Sequence, residues 1–165
     1  MKWKLVMLEE YSGNHASVYS VILNEENGTL YENFIEENLT SFKSEIQDIH
    51  KRLVTIGTKT GAREGFFKRY EGKPGDGVCA LFDKPNSKLR LYCIRIGNDI
   101  VILGGGGPKS KKIKALQEDK KLTKENAIIK KVSAQLTELI KQKDIRYSTD
   151  GLKLEGQLEF DDEEQ

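Results

Sequence analysis

The chain has 165 residues, with 27 Lys and Arg against 26 Asp and Glu and a formal charge of +1. That length suits a single domain, and no apolar run approaches the roughly 18 residues that span a bilayer. The near-neutral total hides a segregation. Residues 1–50 hold 3 basic and 9 acidic side chains, residues 51–131 hold 20 and 8, and residues 132–165 hold 4 and 9. A basic middle between acidic ends is compatible with a polyanion-binding face, or with charges that intermix on a solvated surface. The first ten residues carry too short an apolar segment and too many acids for a signal peptide, so a cytoplasmic protein is expected. Cys79 and Cys93 fit no metal-ligand spacing, and Cys93 lies in a strand pattern that suits a buried free thiol. No metal or cofactor is expected.

In chain order, Trp3 to Leu8 and Ser17 to Leu23 read as two strands, and Ser12-Gly13-Asn14-His15 between them has turn chemistry. His15 reads as an exposed turn residue. Leu30, Tyr31, Phe34 and Ile35 then recur at helical spacing. Leu39, Phe42, Ile46, Ile49 and Leu53 trace a second amphipathic stripe, with Asn38 as its N-cap and Gly57 as its terminator. His50 falls off that stripe and reads as surface.

From Thr58 to Tyr70 the chain turns basic, and Lys59, Arg63, Lys68 and Arg69 are interleaved with Phe66, Phe67 and Tyr70. Cations beside aromatics suit phosphate contact and base stacking on a nucleic-acid strand. The same phenylalanines equally suit anchoring of the loop to the core.

Val78 to Phe82 is a short strand. Leu89 to Ile96, a turn at Gly97-Asn98-Asp99, and Ile100 to Leu103 read as an antiparallel hairpin. The last run has no polar alternation, which predicts a central strand covered on both faces. It leads into Gly104 to Gly107, then Pro108 and the cluster Lys109, Lys111 and Lys112. Two readings are open for the glycines: close approach of backbone amides to a phosphate, with Gly106 and Gly107 as contacts, or a flexible connector. Arg90 and Arg95 are five residues apart and so face opposite sides of a regular strand.

Ile113 to Lys121 reads as a charged connector. Thr123 then caps a helix carrying Ile128, Ile129, Val132, Leu136, Leu139 and Ile140 to about Lys143. Leu152, Leu154, Leu158 and Phe160 suit an edge strand around Gly156. The acidic tail, 161–165, is expected to be disordered. The fold class is therefore α+β: an antiparallel sheet with a helical hairpin on one face and a C-terminal helix.

The order strand, two helices, basic loop, three antiparallel strands, lysine cluster and helix, from about Ser17 to Lys143, resembles the RelE/HigB superfamily of toxin components of toxin–antitoxin systems. The best-matching piece is Val78 to Lys112, through Leu89-Arg90-Leu91-Tyr92, Gly97-Asn98-Asp99, Ile100 to Leu103 and the lysines at 109, 111 and 112. Four glycines stand where the family has a bulkier segment, and the first strand and the C-terminal extension are additional.

The resemblance implies metal-independent cleavage of messenger RNA on the ribosome, held in check by a cognate antitoxin protein. In that chemistry the ribose 2′-oxygen attacks phosphorus and the 5′-oxygen leaves. Arg90 would stabilise the charged intermediate, since arginine does not act as a base and the family pattern favours Arg90 as the one of the two arginines that faces the groove; Arg95, next to the turn, reads as solvated. One of Lys109, Lys111 and Lys112, crowded by other cations, would take the proton, and Tyr92 would orient a base. Lys59, Arg63, Lys68, Arg69 and Arg95 would bind the RNA. The alternatives are a non-catalytic member that binds a protein target such as gyrase, and a plain nucleic-acid-binding module.

Overall fold

The computed structural model describes residues 1–68, 77–81, 86–109 and 115–162, with the backbone alone for 115–119. They form an α+β structure with a mostly antiparallel seven-stranded sheet, a two-stranded ribbon and three α-helices. The expected first hairpin is present as β1 (Lys2–Met7) and β2 (Ser17–Leu23). Helices α1 (Leu30–Asn38) and α2 (Lys43–Thr55) follow. Strands β3 (Phe67–Lys68), β4 (Val78–Leu81), β5 (Leu89–Ile96) and β6 (Ile100–Pro108) pair antiparallel in succession. After α3 (Ala115–Lys141), β7 (Ile145–Tyr147) and β8 (Leu154–Gly156) make the ribbon, and β9 (Glu159–Asp161) returns to the edge of β1.

The sheet order is β3-β4-β5-β6-β2-β1-β9, and only β2 and β6 run parallel within it. Both faces are covered. Val78, Tyr92, Ile94, Ile100 and Ile102 pack with Ile129, Val132 and Leu136 of α3. Val18, Leu91, Cys93, Val101 and Leu103 pack with Phe34 of α1 and with Ile46, Ile49 and Leu53 of α2. Residues Ile100 to Leu103 are fully buried, which is why their sequence shows no polar alternation.

Pairing between β2 and β6 stops at Ser20 and Leu103. There the buried Ser20 hydroxyl donates to the Leu103 carbonyl at 2.7 Å and accepts from the Tyr31 amide at 3.2 Å. Helix α1 therefore begins where these two strands part. Its start is set by Thr29, whose hydroxyl accepts from the Glu32 amide at 3.1 Å, a conventional N-cap.

Four boundaries differ from the sequence expectation. Asn38 ends α1 instead of capping α2, because its buried side-chain amide donates back to the Phe34 carbonyl at 2.8 Å. Leu39 consequently sits between the helices and is 44% exposed, outside the buried stripe. Helix α2 does not end at Gly57. It continues as a π-helical turn, Ile56–Thr60, and stops at Gly61, whose φ of +78° favours glycine. Gly57 is needed for a close approach instead, since a Cβ there would lie 1.7 Å from the Tyr11 carbonyl oxygen. Helix α3 begins eight residues before Thr123, and buried Leu122 extends its apolar stripe by a turn. The predicted C-terminal edge strand is split at Gly156, with a φ of +110°, into β8 and β9.

Candidate nucleic-acid interface

The four glycines are neither a flexible connector nor an open phosphate cradle. All four are buried residues of β6, and they form the bed for α3. A Cβ at Gly104 would meet Ile129 Cδ1 at 3.1 Å, one at Gly105 would meet Glu125 Oε2 at 2.3 Å, and one at Gly107 would meet Lys121 Cγ at 3.3 Å. Residues 121, 125 and 129 recur every four positions, one ridge of a helix. The ridge lies on the glycine strand, and side chains there would lift the helix off the sheet. Gly106 faces a different constraint, because its Cβ would lie 1.8 Å from the Arg90 carbonyl oxygen. The ladder between β5 and β6 shifts register between Leu91 and Cys93, and the glycines absorb that irregularity. Gly106 and Gly107 are thus corrected from RNA contacts to packing positions.

Tyr92 is also corrected. It is 4% exposed and belongs to the core beneath α3, so its ring has no face to offer a base. Arg90 is half-buried, pairs in register with Gly107, and by strand alternation shares the α3 side of the sheet with Tyr92 and Ile94. Lys109 lies beside it, its amide donating to the Lys88 carbonyl at 2.8 Å. Lys111, Lys112 and Arg69 lie outside the described residues.

Arg95 takes the opposite face and another task. Its Nε donates to the Ala62 carbonyl at 2.7 Å, its Nη2 to Asn98 Oδ1 at 2.6 Å, and its guanidinium lies 5.8 Å from the centre of the buried Phe67 ring. It clamps the loop after α2 to the turn of the β5–β6 hairpin. Two of its N–H groups are taken up by protein in this way, and they position that loop. Lys59, Arg63 and Lys68 are exposed on or beside the loop. Phe67 is buried and Phe66 half-buried, so these rings anchor it.

Six cations of this region fall into two groups, with Lys68 on β3 in line with the middle of β5. Lys59, Arg63 and the Arg95 clamp lie near the turn of the hairpin. Lys88, Arg90 and Lys109 lie at its other end. Arg90 and Arg95 stand five positions apart on β5, roughly 17 Å at ~3.3 Å per residue, and on opposite faces of it. The basic middle of the sequence does not gather these residues into one compact patch.

Beside the glycine end is a cavity of about 410 Å³, lined by Asn33 and Glu37 of α1, Gly105 and Gly106 of β6, and Lys121, Lys124 and Glu125 of α3. Lys121 Nζ donates to Glu125 Oε1 at 2.8 Å and lies 3.2 Å from Glu37 Oε2. Glu125 is 7% exposed. Partial burial acts to lower the Lys121 pKa, but the hydrogen bonds and charges of Glu125 and Glu37 outweigh it and raise the pKa above the ordinary lysine value. This tie between α1 and α3 was not legible in the sequence, because Glu37 and Lys121 are 84 residues apart.

A second network was also missed. The Tyr11 hydroxyl lies 3.0 Å from the Tyr31 hydroxyl and 3.0 Å from His50 Nδ1. His50 is exposed, as expected for a residue off the stripe, yet one ring nitrogen is held. Burial pushes the Tyr31 phenol strongly up, so it stays protonated at neutral pH.

Among the described residues no group of three His, Cys, Asp or Glu side chains is placed to hold a metal ion, and no helix is long and apolar enough to cross a membrane. The chain matches no family model, no curated protein and no solved structure.

Proposed function

We propose that this chain is a RelE/HigB-like toxin component, a metal-independent endoribonuclease for translated messenger RNA, restrained by an antitoxin. The observation that carries the reading is the placement of Arg90 and Lys109. Arg90 lies on β5 and Lys109 follows the last residue of β6, at the end of the hairpin from which the chain enters Lys111 and Lys112. The order β2, α1, α2, basic loop, β4 to β6 and α3 supports it as well, since it is the order on which the resemblance rests. The guanidinium of Arg90 supplies charge to a pentavalent phosphorus intermediate. A lysine whose neighbours are cations loses its proton more readily and can accept one from the 2′-hydroxyl. Arg63, Lys59 and Lys68 hold the strand through its phosphates, on a loop that Arg95 positions.

The second reading is a toxin of the same fold that binds a protein target without cleaving RNA. It is favoured by one observation: Tyr92 of the expected catalytic set and Gly106 and Gly107 of the expected RNA contacts are buried. The deciding experiment is RNA cleavage in a translating extract, with wild type compared against Arg90→Ala and Lys109→Ala. Cleavage lost in both variants, with unchanged circular dichroism, supports the nuclease. Growth inhibition without any cleavage, retained in both variants, overturns it in favour of the second reading.

A further inference from the structure

The two cysteines face one another across the sheet. Cys79 of β4 and Cys93 of β5 are direct partners in the antiparallel register, and their sulfurs are 3.4 Å apart. The neighbouring amide of Arg95 donates to the Gly77 carbonyl. Counting two residues along each strand makes 79 and 93 a hydrogen-bonded pair, with Cα atoms about 5.5 Å apart. That separation falls within the ~4.4–6.8 Å that a disulfide accepts. Both thiols are free and buried.

The geometry points to a modification site: Cys79 and Cys93 form a reversible cross-strand disulfide that staples β4 to β5. The oxidant is a peroxide. The Cys79 thiolate attacks one peroxide oxygen, an S–O bond forms, the O–O bond breaks, and the departing hydroxide takes a proton to become water. The Cys93 thiolate then attacks Cys79 Sγ, the S–S bond forms, the S–O bond breaks, and a second hydroxide leaves and is protonated. Two thiols and one hydrogen peroxide become one disulfide and two waters. Either thiol is restored by exchange with a reducing dithiol.

Burial, together with the hydrogen bond and charge of Cys79, holds the Cys93 thiol well above its usual range, so Cys93 stays a thiol while the sheet is closed. Among the described residues, β4 pairs on its other side with Phe67 and Lys68 of β3. The bond closes a loop running from residue 79 to residue 93 and stabilises chiefly by restricting the unfolded chain. It also pins the strand that carries Arg90.

The test uses the full chain, treated with hydrogen peroxide, then denatured, exposed to a maleimide and weighed intact. The expected product is a monomer lighter by two hydrogens, with no maleimide bound, and one linked peptide pair containing Cys79 and Cys93. Its melting temperature should exceed that of the reduced protein by roughly 5–10 °C and fall back on treatment with dithiothreitol. Cys79→Ala should leave Cys93 open to the maleimide. The inference is overturned if wild type still binds two maleimides after a control dithiol in the same tube is fully oxidised, or if the only link formed joins two chains.

Discussion

The two ends of the β5–β6 hairpin present the same residue types in different employment. At the turn end a strand arginine, Arg95, is spent on the protein itself, holding Ala62 and Asn98. At the glycine end Arg90 sits beside Lys109, where β6 has no side chains of its own and α3 supplies Glu125 and Lys121 instead. The difference follows from what each face meets. Five positions along one strand reverse the face, and a loop covers one arginine while a helix ridge lies beside the other. Charge in a sequence is therefore a poor guide to a charged surface until its cover is known.

The comparison breaks most readily at the helix ridge. Ile129 is fully buried over Gly104, and Ile129→Ala should cost about 3–4 kcal/mol in denaturant unfolding. Adding Gly104→Ala should then return about 1 kcal/mol, because the new methyl enters the vacated space. A double variant less stable than Ile129→Ala alone would show that the glycine serves the backbone and not the ridge.

Gly106→Ala tests that backbone requirement directly. Its Cβ meets a strand carbonyl and not a flexible side chain, so relief requires the β5–β6 ladder to move. A loss of about 3 kcal/mol is expected, the upper part of the usual overpacking range. Hydrogen exchange should localise it to β5 and β6.

Arg95→Ala sharpens the contrast with Arg90. Removing two bonds from a charged donor should cost about 2 kcal/mol, and proteolysis should find the loop around residues 61–66. Arg90→Ala should leave proteolysis of that loop unchanged. Equal loop cleavage in both variants would remove the distinction between the two arginines.

The smallest effect concerns the Lys121 tie. A lysine whose pKa is raised on folding contributes stability that is present below the unfolded value, ordinarily about 10.4, and is lost as pH rises through the folded value. Lys121→Met should therefore show a small, constant deficit across pH 6–9 that shrinks above about pH 10.5. A deficit that grows with alkalinity would contradict the direction of the shift. The group is too exposed for a larger effect.

Much of the fold was legible locally. The alternation in β1, the stripe Ile46, Ile49 and Leu53, and the apolar run Ile100 to Leu103 each report a pattern that one element imposes on its own residues. The boundaries that differed were decided by partners distant in sequence. Gly57 looks like a helix stop until Tyr11 is laid against it, and Leu39 looks like core until Asn38 turns its amide back into α1. For the candidate site, the exposure of Lys59, Arg63 and Lys68 was legible, because loop cations are solvated by default. The burial of Tyr92, Gly106 and Gly107 was not, because it depends on where α3 comes to rest.

Composition and period, acting over a few residues, determined an α+β chain with a central buried strand, a helical pair, a third helix and a basic middle segment. Tertiary structure alone decided that β2 lies parallel to β6, that α1 starts at their fork, that the glycines carry a helix, and that Cys79 meets Cys93. Each of those is a pairing between segments well separated along the chain. Such pairings are selected by how completely two surfaces exclude water and satisfy each other's polar groups, a property that neither surface carries by itself.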